Sequence, residues 1–255
     1  MAESDGNGNP FFSQYAATYT TNPSHAHGQD LQALLAALAP KPHELALDVA
    51  TGTGHTALAI APHAKLVVGL DLTPQMLVEA QKLARQRQVS NTLWLSGNAM
   101  ALPFLDSSFD LVSCRRSFHH FPSIDGALAE MVRVLKPGGR LGIVDMTLPP
   151  GPAGEFFNDL ERARDATHVR AMGYEAWLDA VSRAGLRVTY AANPGEFIPL
   201  ADWLYPVAVA SPDGQKVQAL LQNASPAERG AIGWVNEPVA GFVKKRIILV
   251  AYKPE

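Results

Sequence analysis

Gly52 and Gly54 stand two residues apart in LDVATGTGHTALAIA (residues 47–61), where an apolar run passes through a turn into helix-forming residues. Glycine lets the backbone bend sharply and approach a ligand that a Cβ would hold off. The helix start just beyond offers free N–H groups to an anion or carboxylate. Asp71 closes the next apolar run, VVGLDLTP, within the span where nucleotide-binding sheets put a ribose-binding acid. Together these features point to an adenosine-containing ligand. Asp48 sits inside the first run, two residues before the turn, an awkward place for a charge unless it faces a polar group. An amino acid's ammonium, met directly or through water, would satisfy it. Asn98, in SGNAMALPF, follows a third short run and could bond an adenine edge. Read as G-x-G-x-x-A, Gly52, Gly54 and Ala57 also meet a loose dinucleotide fingerprint, so an NAD-dependent oxidoreductase is an alternative.

These residues need a frame, and the chain supplies one by alternation. Residues 29–39 read as a helix stopped by Pro40 and Pro42. Strand-like runs at 45–49, 65–70, 93–95, 109–114 and 140–146 are separated by helix-length patterns, among them 73–87 and 126–135. Such alternation implies βαβ units and an α/β, doubly wound, mostly parallel sheet covered on both faces. After Thr147 the rhythm changes. Residues 155–170 and 174–184 read as amphipathic helices, 186–190 as a strand, and 246–252 as the last strand. The 194–241 stretch between them is too long for a bare loop, which leaves a lid or a small helical appendage.

Composition limits the classes of partner. Across 255 residues, Lys and Arg number 21 against 24 Asp and Glu, so clustered cations for a nucleic-acid track are missing. Lys244-Lys245-Arg246 reads as a solvated strand flank. The single cysteine, Cys114, excludes an internal disulfide framework and reads as a small buried hydrophobe. No apolar run reaches the ~18–20 residues needed to span a bilayer, and the polar, acidic start lacks the pattern of a secretory signal. The expectation is a cytoplasmic protein with no membrane and no nucleic-acid partner. His25 and His27 alternate without a Cys or acidic ligand at metal spacing, so no metal is expected.

The ordered set LDVATGTG, GLDLTPQML, GNAMALPF, FDLVSC and RVLKPGG resembles the class I S-adenosylmethionine-dependent methyltransferases, in the ubiquinone/menaquinone-methyltransferase-like branch. The resemblance is strong over residues 45 to about 150 and weak beyond. It implies S-adenosyl-L-methionine as cofactor and a seven-stranded sheet with an antiparallel last strand. The polar lead peptide reads as a disordered tail (1–10); residues 11–44 are expected to be N-terminal cap helices, and 45–255 a methyltransferase domain that includes the helical insert 194–241. By position, Asp48 and the loop Ala50, Gly52 and Gly54 would hold the methionine moiety. Asp71 would take the ribose, Leu72 and Met76 would pack on adenine, and Asn98 and Ala99 would border its edge. Arg115 would sit near the sulfonium end. The family usually has Gly where Ala50 stands and often Asp where Asn98 stands. Alanine is small enough for the turn, and asparagine keeps an acceptor oxygen.

Methyl transfer is an in-line displacement that must align the nucleophile, exclude water and, for O, N or phenolic C acceptors, remove a proton. Histidine is the natural base near neutral pH. His119 and His120, in SFHHF after the fourth strand, stand at the sheet's carboxyl edge; one could be the base, or both could be polar packing. Arg164, His168 and Arg170 in RARDATHVR could gather positive charge for an acidic or phenolic substrate, or could be a solvated helix face. Their string resembles one in a YcgJ-like group of bacterial methyltransferases. Tyr15 and Tyr19 fall at helical spacing with Phe12, in the region that is a mobile cap in the family, and serve equally as lid residues or as a packing stripe. The expected acceptor is a small molecule, and a homodimer is left open. A protein that binds S-adenosylmethionine without transferring methyl is the second alternative.

Overall fold

The computed structural model describes residues 9–255. Three helices precede the sheet: α1 (Pro10–Thr21), α2 (Pro23–His27) and α3 (Gln29–Leu38). The Asn9 side chain accepts from Phe11 N–H and Pro10 fills the first helical position, so α1 starts at Pro10. Residues 1–8 of the expected tail lie outside the described residues.

The alternating core follows as β1 (Leu45–Val49), α4 (His55–Ile60), β2 (Leu66–Asp71), α5 (Pro74–Gln86), β3 (Thr92–Ser96), β4 (Phe109–Arg115), α6 (Ile124–Val134) and β5 (Leu135–Leu148). The chain continues through α7 (Pro152–Arg164), β6 (Met172–Gly173), α8 (Tyr174–Arg183), β7 (Arg187–Ala192), β8 (Gly195–Pro199), α9 (Leu200–Leu204), α10 (Pro212–Asn223), α11 (Pro226–Ala231) and β9 (Gly241–Tyr252). The main sheet runs β3-β2-β1-β4-β5-β9-β7, with β9 antiparallel to both neighbours and β1 to β5 parallel. Strand order reverses between β1 and β4, which opens a crevice at their carboxyl ends, the usual ligand position in such sheets.

Alternation along the strands sorts the core. Leu47, Val112, Ile143 and Leu249 face one layer with α6 and α8, around the buried Trp177. Their neighbours Ala46, Leu111, Val144 and Ile248 face the other layer with α3 and α4. A third cluster, holding Phe157, Trp203, Leu221 and Phe242, joins α7, α9, α10 and β9.

Three elements depart from expectation. The strand expected over 140–146 begins earlier, at Leu135, and residues 136–139 belong to it: Gly138 N–H donates to Lys253 O at 2.8 Å and Lys253 N–H to Gly139 O at 2.9 Å. The helix expected over 155–170 ends at Arg164, since Asp165 Oδ1 accepts from Thr167 N–H and Oγ1 and turns the chain out of the helix. The 194–241 insert is not wholly helical: β8 pairs with the first half of β9, which lengthens the last strand back to Gly241.

The N-terminal helices are fastened by charge. Asp30 on α3 accepts from Arg115 Nε and Nη2 at 3.1 and 2.9 Å and from Arg116 Nε at 2.8 Å. Burial would raise this carboxyl, but the two guanidiniums hold it well below the usual carboxylate range. Its stabilisation is therefore complete above that range and drains away as pH falls through it. Asp30→Ala strands the buried Arg115 and the half-buried Arg116 and is expected to cost about 3–5 kcal/mol in urea unfolding at pH 7. An unchanged urea midpoint would show that the cap is held by packing alone.

Candidate active site

The loop after β1 is shaped by left-handed backbone at Ala50 (φ 52°), Gly52 (φ 55°) and Gly54 (φ 84°). Ala50 therefore carries strain on the order of 1–2 kcal/mol that glycine would avoid. A Cβ on Gly54 would stand 2.6 Å from the Trp94 ring, so this glycine is needed for packing. A Cβ on Gly52 would meet no protein atom within 4 Å; the Gly52 backbone borders open space. That space is a cavity of about 830 Å³ at the carboxyl edge of the sheet, within the range of small-molecule sites.

Two buried acids frame the loop. The β1–β4 register sets Asp48 beside Ser113; Ser113 Oγ donates to Asp48 Oδ1 at 2.7 Å and Thr51 Oγ1 to Oδ2 at 2.6 Å. Burial pushes Asp48 up to about 6 despite these donors. Asp71 receives Gly52 N–H and Thr73 N–H, each at 2.8 Å, one on each oxygen, and burial raises its pKa too. Each carboxylate oxygen accepts up to two hydrogen bonds, so both acids keep capacity toward the cavity they line.

Leu72, Met76, Asn98 and Ala99 also line this cavity. Asn98 Oδ1 accepts Met100 N–H at 2.9 Å, so the oxygen foreseen for an adenine amine is partly spent on its own turn. Arg115 borders the cavity but is not a free donor. It gives Nη1 to His25 O and Nη2 to Ser24 O, both at 3.1 Å, besides its bonds to Asp30. Where it borders the cavity, Arg115 thus also anchors the N-terminal helices.

At the end of β4, a 3₁₀ turn Phe118–His120 presents both histidines to the same cavity. His119 Nδ1 stands 2.6 Å from Asp145 Oδ1, and Asp145 also accepts Met146 N–H at 2.7 Å. His119 and Asp145 are both buried. The loop after α7 braces this pair: Val169 N–H donates to His119 O at 2.8 Å, and the His168 ring lies 5.5 Å from the His119 ring. His168 itself bonds Asn158 through Nε2 and does not line the cavity; burial lowers it to about 4. Arg170 is outside as well, in an exposed pair with Glu155.

Arg164 does line the cavity, as do Trp203, Tyr205, Phe197, Lys244 and Arg246. Its guanidinium lies 5.3 Å from the centre of the Trp203 ring and reaches Glu161 at 3.3 Å. Lys244 also pairs with Glu161, and burial lowers the lysine to about 8. The expectation of a solvated flank at 244–246 therefore holds only for Lys245. Lys244 and Arg246 turn inward because alternate residues of β9 face the insert. Tyr19 lines the cavity and is pushed up to about 12 by burial, opposed by Arg164. Tyr15 does not line it; its ring packs 5.0 Å from Phe11.

Asp145, Ser113, Thr51, Lys244 and Trp203 escaped sequence reasoning. Asp145 carried the signal already used for Asp48, an acid inside a strand near its carboxyl end. The others had none beyond their type. Among the described residues no cluster of three or more His, Cys, Asp or Glu could hold a metal, and no helix is long and apolar enough to cross a membrane.

A family model described as a methyltransferase domain matches residues 47–143. Over 197 residues the chain is 34% identical to the uncharacterized methyltransferase YcgJ of Bacillus subtilis, spanning 77% of this chain and 74% of that one. The crystal structure of YcgJ superposes with a TM-score of 0.84 at 30% identity, over 90% of this chain and 100% of the other. The chain belongs to the class I S-adenosylmethionine-dependent methyltransferases. A ubiquinone/menaquinone C-methyltransferase, UbiE of Dinoroseobacter shibae, is 43% identical over 127 residues, 48% of this chain and half of its own length. The NAD-dependent alternative is thereby overturned, and S-adenosylmethionine is the methyl donor. The methyltransferase carries a cradle that fits this donor: open space over Gly52 and two buried carboxylates with acceptor capacity to spare.

Asp48 makes the empty methyltransferase sensitive to pH. Its folded pKa exceeds the unfolded value of ~3.9, so between roughly that pH and about 6 the folded state binds more protons and stability falls as pH rises. Asp48→Asn is expected to remove this slope and raise the neutral-pH melting temperature of the ligand-free protein. An unaltered pH profile of thermal unfolding would contradict this.

Proposed function

We propose that this methyltransferase acts on a small, partly aromatic molecule and that His119 is the general base. The observation that carries the reading is the buried His119–Asp145 pair at 2.6 Å, bordering the cavity that also borders the glycine loop. A carboxylate can only accept, so His119 Nδ1 carries the hydrogen and Nε2 the lone pair. Asp145 fixes the ring and offsets the positive charge that the ring gains with a proton.

When bound, S-adenosylmethionine supplies a methyl carbon made electrophilic by a sulfonium, which leaves as a neutral thioether. Asp48 meets its ammonium, the Ala50–Gly54 loop its methionyl backbone, and Asp71 the ribose hydroxyls. Leu72, Met76, Asn98 and Ala99 surround the adenine. The acceptor occupies the side of the cavity where Trp203, Tyr205 and Phe197 offer apolar surface and Arg164 with Lys244 offers donors. Enclosure by α1, α7 and the insert excludes water and favours a small molecule over a macromolecule. Tyr19, reaching in from α1, covers this side of the cavity.

Calorimetric titration with S-adenosylhomocysteine tests the donor site. Asp71→Ala is expected to weaken binding by about 1.5–3 kcal/mol through loss of charge-assisted bonds; affinity within twofold of wild type would remove Asp71 from the site. His119→Ala is expected to lower turnover about 10²- to 10⁴-fold across a phenol, amine and carboxylic-acid panel while sparing S-adenosylhomocysteine affinity. Undiminished turnover in that variant would dismiss the base.

A further inference from the structure

His119 is not the only imidazole held with a committed nitrogen. His120 Nδ1 stands 3.2 Å from the Thr167 carbonyl oxygen and 3.0 Å from Thr167 Oγ1. A carbonyl can only accept, and the Thr167 hydroxyl gives its one hydrogen to Asp165 Oδ1 at 2.6 Å. His120 therefore carries its hydrogen on Nδ1, like His119, and keeps a lone pair on Nε2. The two rings lie 4.1 Å apart between centres, tilted by 47°. Both line the cavity, and neither Nε2 is a buried, unpartnered atom sealed from it. Burial and the neighbouring His119 hold His120 well below the ordinary imidazole range, so both lone pairs are present at neutral pH when His119 is unprotonated.

Lone pairs on two rings whose centres lie 4.1 Å apart repel a carboxylate, a ketone or any other group that only accepts. They match a group that offers two hydrogens side by side. The surrounding surface is aromatic: the Phe12 ring meets His120 edge-on at 5.0 Å, and Tyr19 and Trp203 border the same space. We propose that the two Nε2 atoms read adjacent hydroxyl hydrogens, so that the methyl acceptor is a vicinal dihydroxy-aromatic compound, with Thr167 and Asp165 as positioning residues for His120. This rests on the reading of His119 as base. One hydroxyl oxygen bonds the methyl carbon as the carbon–sulfur bond breaks and its electron pair returns to sulfur. The hydroxyl proton passes to His119 Nε2, opposite Asp145. The second hydroxyl keeps its hydrogen and its bond to His120, and the product is the monomethyl ether.

The test uses the full chain saturated with S-adenosylhomocysteine, in EDTA, titrated calorimetrically with catechol, phenol and 2-methoxyphenol. Catechol is expected to bind about tenfold tighter than either of the others, the worth of one added hydrogen bond. His120→Phe is expected to erase the gap, Thr167→Val to narrow it and Thr167→Ser to restore it. Nitrogen-15 spectra are expected to show both rings as Nδ1–H tautomers, with His120 alone changing in Thr167→Val. Equal binding of catechol and phenol, no catechol binding at millimolar concentration, a gap that survives His120→Phe, or an Nε2–H tautomer at His120 would overturn the proposal. The base reading stands or falls separately, on turnover of His119→Ala with any acceptor.

Discussion

Three carboxylates, Asp48, Asp71 and Asp145, stand on three parallel strands with their charges out of water, at the edge where the sheet opens. A buried charge is tolerated only when donors surround it. Here the donors come from backbone N–H groups of the tight turns and from neighbouring side chains: Gly52 and Thr73 for Asp71, Thr51 and Ser113 for Asp48, Met146 and His119 for Asp145. None of these sets exhausts the oxygens. The same desolvation that raises Asp48 and Asp71 leaves their remaining lone pairs strongly attractive to a ligand's ammonium or hydroxyl hydrogens. Donor binding and the cost of holding these charges without the donor are two faces of one constraint.

A second set of buried charges decides how the cavity is closed. Arg115 and Arg116 leave the end of β4 and grip Asp30, which ties the N-terminal helices across the mouth of the site. Arg116 does so from a left-handed backbone (φ 58°), a strained position that reverses the chain directly into the histidine turn. On the far side Glu161 is flanked by Lys244 and Arg164, which hold its carboxyl well below the usual range against the opposing effect of burial. The two sides of the cavity thus draw on separate ion pairs, one made by the cap and one by α7 with β9.

The glycine-loop side of the cavity was legible because its signals are local. A positive-φ turn needs glycine or a small residue, an acid ending a buried strand is conspicuous, and alternation within each strand states which neighbours face the core. The opposite side of the cavity, around Lys244 and Arg164, was harder to read. Lys244 looked like one member of a solvated basic run, and only pairing of β8 with β9 shows that it turns inward. The RARDATHVR string looked like a helix with a cationic end. Competition from the Asp165 side chain for backbone N–H makes it a loop instead, and the loop's use is to hold Thr167 against His120 and Val169 against His119.

Taken alone, the order of residues determined the α/β alternation, the glycine turn, the acid at the end of the second strand and the presence of a histidine pair after the fourth. Each depends on interactions reaching only a few residues along the chain. Tertiary structure alone decided that His119 meets Asp145, 26 residues away, and that Arg115 is spent on Asp30, 85 residues away. Those partnerships follow from which strands lie side by side and how far each runs, quantities set by packing of the whole sheet.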